Sequence, residues 1–396
     1  MSGRHILRMT MHTAARTHGY TESVIRMMTR LANRQGAINL SQGFPNFACP
    51  DTLKIAAARA IYDDVNQYAI TWGAKRYRDA LAEKYALWYG MDVDPEAHLT
   101  ITCGATEAIV SSLLAIVDPG DEVIVLEPFY ENYGPDTVLC AAEPVYVPLA
   151  SDWSVDLAAL REAFSERTRA IIVNSPNNPT GRVFSRAELE GIAALCREFD
   201  AYAVTDEVYE HITYDGAEHV PMATLPEMRD RTITVSSASK TFAVTGWRLG
   251  TIIAHPEVSD AIRKVHDFLT VGAAAPLQEG VAAALEMLPD SYYAELGEAY
   301  RAKRELFFPA LVEAGFKCER PMGAYYILAD FSDLSDLPDD EFSYWLTEEV
   351  GVAPVPGSSF YRDPEDGRHL VRFAFCKTED VLEEAAERLA KVRALT

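Results

Sequence analysis

Lysine is scarce in this 396-residue chain: nine of its 36 basic residues are lysine, and the rest are arginine. Basic charge as a whole is short, with 59 acidic residues and a formal net charge of −23. That balance argues against a nucleic-acid or anionic-membrane partner, because both reward the opposite sign. No apolar run approaches the ~20 residues that span a bilayer. The segment from Met1 to Tyr20 carries Arg and His but no apolar stretch of the kind a secretory signal needs. The six cysteines, Cys49, Cys103, Cys140, Cys196, Cys318 and Cys376, show no CxxC spacing. They read as reduced, mostly buried thiols of a cytosolic protein. The nine histidines include no HExxH and no i,i+4 pair, so no metal site is expected. No internal repeat, low-complexity tract or linker interrupts the chain.

What is present is an ordinary globular composition, 48% hydrophobic and 24% charged, long enough for two domains. Val24, Ile25, Met27, Met28 and Leu31 recur near helical spacing and predict a helix from Tyr20 to Asn33. Ile38-Asn39-Leu40 is short and extended. Ser41 to Phe47 is a loop with Gly43 and Pro45, either a plain turn or backbone lining a substrate pocket. Asp51 to Tyr62 is helical again.

From Leu99 the pattern changes. Candidate strands are Leu99–Thr102, Glu122–Leu126, Glu143–Val147, Arg169–Val173, Ala201–Thr205, Arg231–Val235 and Gly250–Ala254. Helical stretches such as Thr106–Ile116 and Arg186–Glu198 lie between them. Short, nearly continuous apolar strands alternating with helices predict an α/β fold with a mostly parallel sheet covered on both faces. Ligands of such sheets sit at the C-terminal strand ends.

Those ends carry the chemistry. The first strand runs into Cys103-Gly104-Ala105-Thr106-Glu107, a small-residue turn and a helix start. This is either a phosphate cradle of backbone N–H groups and the Thr106 hydroxyl, or an ordinary Thr N-cap. The second ends at Tyr130, an aromatic able to stack on a flat ring or simply to fill core. The fourth runs into Asn174-Ser175-Pro176-Asn177-Asn178-Pro179-Thr180-Gly181, a tight loop offering amide donors. The fifth ends in Asp206-Glu207-Val208-Tyr209: a carboxylate for a protonated pyridine nitrogen and a phenol for a ring oxygen, or an exposed acidic turn. The sixth ends in Ser236-Ser237-Ala238-Ser239-Lys240, with Arg248 eight residues on. A lysine there can form a Schiff base with an aldehyde, pyridoxal phosphate (PLP) being the common one; the alternative is a surface lysine after a buried strand. Helices over Glu257–Phe268, Pro276–Leu288 and Tyr293–Val312 follow, the last a bridge to a second domain. There Arg372 sits in the alternating run Leu370 to Phe375, where a buried charge needs a partner: a substrate carboxylate or a structural salt bridge.

Together these motifs resemble the fold-type I PLP-dependent aminotransferases of class I and II. The resemblance rests on Leu40-Ser41-Gln42-Gly43-Phe44-Pro45, Gly104-Ala105-Thr106-Glu107-Ala108, Asn174 to Gly181, Thr205-Asp206-Glu207-Val208-Tyr209, Ser237-Ala238-Ser239-Lys240-Thr241-Phe242, Gly246-Trp247-Arg248 and Val371-Arg372-Phe373. Within that family the chain resembles the kynurenine/glutamine/methionine aminotransferase group. The resemblance implies an aspartate aminotransferase-like fold: a PLP-binding domain over residues 50–290 with a mostly parallel seven-stranded sheet, and a smaller α+β domain from 1–49 and 291–396. It implies Lys240 as the Schiff-base lysine and the proton carrier between substrate and cofactor. Asp206 would pair with the pyridine nitrogen. Asn178 and Tyr209 would bond the ring's 3-oxygen, and Tyr130 would stack on the ring. Ala105, Thr106, Ser237 and Arg248 would bind phosphate, and Tyr68 would reach the phosphate of the other subunit of a homodimer. Gly43, Asn178 and Arg372 would take the substrate's α-carboxylate.

Two departures stand out. Asn46 replaces the family's usual Asp after Gly-Phe-Pro, and Ala69-Ile70-Thr71 lacks a lysine often found there. Both are expected to touch the substrate entrance or the dimer contact. Tyr20, Phe44, Trp72 and Tyr325 are expected in the pocket wall. The implied reaction moves an amino group between an L-amino acid and a 2-oxo acid by ping-pong kinetics. The same residues would also serve β- or γ-elimination, cyclisation or oxidation. A non-catalytic PLP-binding regulator would carry a DNA-binding domain, for which this acidic chain leaves no room. No second arginine marks a dicarboxylate site.

Overall fold

The computed structural model describes residues 13–18, 20 and 22–395. Its largest sheet is built from β1 (Leu99–Thr102), β2 (Glu122–Glu127), β3 (Glu143–Pro148), β4 (Thr168–Asn174), β5 (Tyr202–Asp206), β6 (Thr232–Ser237) and β7 (Gly250–Ile253). Their order across the sheet is β1-β7-β6-β5-β4-β2-β3. All pairs from β6 to β3 are parallel, and β7 alone runs antiparallel to both neighbours. The fold-class expectation holds, and every expected strand is present with ends moved by a residue or two.

The strands read as unbroken apolar runs because both faces are covered. In β4, Ile171 and Val173 point to one face and pack with Leu189, Ile192 and Ala193 of the helix Arg186–Glu198. Ala170 and Ile172 point to the other and pack with Ile109 and Leu113 of the helix Ala105–Ile116. A period of two thus feeds two separate cores.

A second sheet has the order β10-β11-β9-β8 and is antiparallel throughout, with β8 (Lys317–Cys318), β9 (Tyr326–Asp330), β10 (Val355–Pro356) and β11 (Leu370–Ala374). The N-terminal segment joins this part of the chain: Ile38–Asn39 pairs in parallel with Val352–Ala353. The first helix covers Val24–Gln35 rather than starting at Tyr20, because Ser23 caps it by accepting from the Arg26 N–H. The helix Ser291–Ala314 spans both cores. Tyr293 near its start packs with Phe242 and Val281, and Phe307 and Leu311 near its end pack with Phe373 and Leu382. One long helix, Lys75–Tyr89, escaped the sequence reading. Tyr77, Leu81 and Tyr85 form its buried stripe, but the buried Arg78 and the exposed Leu87 and Trp88 blur the pattern in the sequence.

Candidate active site

The C-terminal ends of β1, β2, β4, β5 and β6 open into one cavity of about 920 Å³, closed from the other side by the loop around Gly43 and by β9 and β11. That volume lies at the upper end of the ~300–1,000 Å³ typical of small-molecule sites. Lys240 stands in its floor. The short helix Ala238–Thr241 follows β6 directly, and Ser237 caps it by accepting from the Ser239 N–H at 3.0 Å. The Lys240 ammonium donates to the Gly43 carbonyl at 3.1 Å. Burial disfavours its charge and brings its pKa from 10.5 down to about 8, against opposing pulls from Cys376 and Asp206. The surface-lysine alternative is thereby excluded.

Asp206 ends β5 and is 6% exposed; Glu207 is 2% exposed, so this is no acidic turn in water. Asp206 Oδ2 accepts from the Tyr133 hydroxyl at 2.7 Å, and the Asp206 carbonyl accepts from Asn174 Nδ2 at 2.9 Å. Burial pushes its carboxyl pKa up, with the Tyr133 hydrogen bond opposing. A cation beside it would restore the anion. Tyr209 shares a 3.0 Å hydrogen bond with Tyr326. Asn178 takes the amide role: its N–H donates to Asn174 Oδ1 at 2.8 Å, and its own Oδ1 accepts from Arg372 at 2.9 Å. Tyr130 lines the cavity, edge-on to Tyr133 at 5.7 Å.

The anion end is built at the start of the helix Ala105–Ile116. Gly104 is its N-cap and no side chain caps it, so Thr106 is not the cap and its hydroxyl is left to the cavity. Glu107 points away, accepting from Cys103 N–H and bonding His266. Gly104 adopts φ 86°, and a Cβ there would stand 2.2 Å from an Arg248 guanidinium nitrogen. Glycine is therefore required both by conformation and by the close approach of the arginine. The start of this helix, Thr106, Arg248, Ser237 and Ser239 all line the cavity, a polar set suited to an anion, although the Ser237 hydroxyl donates to the Leu249 carbonyl at 2.8 Å.

Arg372 resolves its two alternatives. Its residue is fully buried on β11, between the Tyr326 and Phe360 rings at 4.5 and 5.0 Å. It donates to Asn178 Oδ1 and to the Ser41 carbonyl, and its Nε has no partner. No carboxylate of the described residues pairs with it, so it is no structural salt bridge. An unpaired buried guanidinium facing a cavity is suited to a carboxylate. Gly43 sits beside it: a Cβ there would lie 1.9 Å from the Tyr326 hydroxyl. The loop carrying Gly43 is pinned by Lys377, whose ammonium donates to the Phe44 carbonyl at 2.8 Å.

Eleven of the expected site residues therefore converge: Lys240, Asp206, Tyr209, Ala105, Thr106, Tyr130, Asn178, Ser237, Arg248, Gly43 and Arg372 all line the cavity. Tyr68 does not; it is 85% exposed and outside it. Of the expected wall, Tyr20 and Phe44 line the cavity. Trp72 instead lies under the Arg263 guanidinium at 4.9 Å, and Tyr325 lies behind Gly43, donating to its carbonyl at 3.1 Å. Asn46 fastens the N-terminal loop to Thr378, accepting from its N–H at 2.7 Å and donating to its hydroxyl at 3.2 Å. An aspartate could keep the second contact only by accepting from the Thr378 hydroxyl. Tyr133, Asn174, Ser239 and Tyr326 were not singled out in the sequence. Tyr133 follows Tyr130 by three residues and Ser239 precedes Lys240, so spacing alone offered a clue to both.

The aminotransferase class I and II family model matches residues 35–389. A probable N-succinyldiaminopimelate aminotransferase of Mycobacterium tuberculosis is 41% identical, covering 96% of this chain and 98% of the relative. Its solved structure superposes with a TM-score of 0.94, covering 96% of this chain and 100% of that one. The Escherichia coli methionine aminotransferase is 38% identical over 93% of this chain and 96% of its own length. Human kynurenine–oxoglutarate transaminase 1 is 35% identical over 91% and 94%. Aspartate aminotransferase of Thermus thermophilus, 34% identical, superposes with a TM-score of 0.90 over 97% of this chain and 100% of that one. These relatives are named for amino-group transfer, so elimination, cyclisation and oxidation are not favoured. The chain belongs to the class I and II aminotransferases and is a pyridoxal-phosphate-dependent enzyme that moves an amino group between an amino acid and a 2-oxo acid.

Proposed function

We propose that Lys240 is the lysine that holds the cofactor and then carries the proton at the substrate α-carbon, first as base and then as acid. When bound, PLP supplies an aldehyde and an electron sink. Asp206, held by Tyr133, would pair with the pyridine nitrogen and favour its protonated form. Asn178 and Tyr209 would bond the ring's 3-oxygen, Tyr130 would cover its face, and Ala105, Thr106, Ser237 and Arg248 would hold the phosphate. Arg372, with Asn178 and the Gly43 backbone, would bind the α-carboxylate and leave the α-carbon to the Lys240 amine. The observation that carries this reading is that two cations, the partly buried Lys240 and the fully buried Arg372, line one cavity with no carboxylate partner among the described residues.

The division into residues 50–290 and 1–49 plus 291–396 belongs to the same proposal, supported by the two sheets and their separate cores. A homodimer with shared active sites is its third part. Tyr62, Tyr68 and Phe268 are 87%, 85% and 91% exposed, an apolar surface that a second copy would cover. Tyr68 would reach the neighbouring phosphate from there. A cytoplasmic location is supported by six free thiols, and no helix of the described residues is long and apolar enough to cross a membrane.

Borohydride reduction followed by peptide mass mapping tests the central assignment. The cofactor mass is expected on the peptide containing Lys240. Label on any other lysine would overturn it.

A further inference from the structure

Two tyrosines of the cavity are joined at their hydroxyls. Tyr326 lies on β9, nearly fully buried, with its hydroxyl 3.0 Å from that of Tyr209. Its place is fixed from three sides. In the β9–β11 register Tyr326 stands opposite Ala374, two residues from Arg372, so the two side chains share a face of the sheet. The Arg372 guanidinium accordingly lies 4.5 Å from the Tyr326 ring. Gly43 makes room for the hydroxyl, since a Cβ there would stand 1.9 Å from it. Two residues before Tyr326, Ala324 adopts φ 53°, in the left-handed region that favours glycine. Its N–H donates to the Ile212 carbonyl at 2.9 Å, and its carbonyl accepts from the Tyr214 hydroxyl. Backbone held in that region by bonds on both sides is a mark of a functional segment.

The hydrogens of the tyrosines set the direction of the bond. Each phenol donates one. Tyr325 gives its own to the Gly43 carbonyl at 3.1 Å. Tyr209, in serving the ring's 3-oxygen, gives its own to that oxygen. The hydrogen between the two hydroxyls is then that of Tyr326, donated to the Tyr209 oxygen. Burial pushes the Tyr326 pKa up to about 12, with Arg372 opposing, and raises that of Tyr209 well above the ordinary phenol value, so both hydrogens stay in place at neutral pH. The other titratable and charged groups around the pair are Asp206 at the end of β5, Tyr130 after β2, Lys240 after β6 and Cys376 after β11. Arg372 is the charge that lies against the Tyr326 ring, and a cation there strengthens the phenol as a donor.

We propose that Tyr326 is a positioning residue: its hydroxyl donates to Tyr209 and commits the Tyr209 hydrogen to the cofactor's 3-oxygen. The inference rests on the reading of Tyr209 given above. A hydroxyl that accepts one hydrogen bond is a stronger donor in the next. The chain from Tyr326 through Tyr209 therefore stabilises the ring oxygen as an anion more than Tyr209 alone would.

A pH titration of the holoenzyme's visible band tests it. With a weaker donor beside it, the ring oxygen holds protons more tightly. The midpoint of the band's pH-dependent change is therefore expected to rise in Tyr326→Phe, by about 0.3 to 1 unit. The phenyl ring stays over Arg372 in that variant, so a merely structural role would leave the midpoint in place. Tyr209→Phe is expected to raise it at least as far. Adding Tyr326→Phe to Tyr209→Phe is expected to move it no further, because the hydroxyl acts through Tyr209. A midpoint that Tyr209→Phe raises and Tyr326→Phe leaves unmoved would overturn the proposal alone. So would a Tyr326→Phe shift that persists in full without the Tyr209 hydroxyl. A midpoint that Tyr209→Phe itself leaves unmoved would overturn the reading of Tyr209, and the proposal with it.

Discussion

At the scale of single residues the account turns on two cations. Lys240 must lose its proton before it can attack an aldehyde, and its burial places that loss at about 8. The neutral amine therefore grows as pH rises through that value. Capture of added PLP by the cofactor-free protein is expected to accelerate with pH and level off above about 8, followed by absorbance in the visible. Continued acceleration toward 10.5, the ordinary lysine value, would mean that the amine is not buried as described. Arg372 makes the second case. Arg372→Lys keeps the charge but loses the planar fork. A charge-assisted hydrogen bond is worth ~1.5–3 kcal/mol, so KM for the amino acid is expected to rise about 10- to 100-fold, with little change in the affinity for PLP. Both residues were legible in the sequence, because each is a charge set among small or apolar neighbours. Tyr133 and Tyr326 were not. Their roles come from long-range contacts, Tyr133 with Asp206 and Tyr326 with Tyr209, and nothing in their local strings marks those partners.

At the scale of elements, the strand ends were readable because a parallel strand buried on both faces is an uninterrupted apolar run, and the chemistry begins where the run stops. The helix Lys75–Tyr89 was not, because its buried face of Tyr77, Leu81 and Tyr85 includes the charged Arg78, while the apolar Leu87 and Trp88 are exposed and blur the stripe. The loop at Gly43 carries the sharpest prediction here. Gly43→Ala would force the Tyr326 hydroxyl aside from 1.9 Å and disturb the carbonyl that holds Lys240. A displacement of about 1 Å at reacting groups costs on the order of 100-fold in rate, so kcat is expected to fall by about that factor in a folded protein. The helix Arg186–Glu198 provides the contrast. Its capping box joins Ser185 and Glu188, neither of which lines the Lys240 cavity. Ser185→Ala is expected to cost ~1 kcal/mol, read as a lower urea midpoint at unchanged kcat. A fall in kcat there would show that the helix and the site are coupled.

At the scale of the whole molecule, the helix Ser291–Ala314 packs into both cores, and the exposed Tyr62, Tyr68 and Phe268 are the residues on which the proposed dimer rests. Sedimentation is expected to give twice the mass of one chain. Tyr68→Phe is expected to weaken PLP retention without changing that mass, which separates a phosphate contact across subunits from a purely structural role. The most direct test of the central claim is the absorption spectrum of the purified protein, taken before and after an amino acid is added without any oxo acid. A visible band that is absent from Lys240→Ala, bleached by the amino acid and restored by a 2-oxo acid is the result the account predicts. A band that persists in Lys240→Ala, or one that the amino acid leaves unchanged across a broad panel, would contradict it.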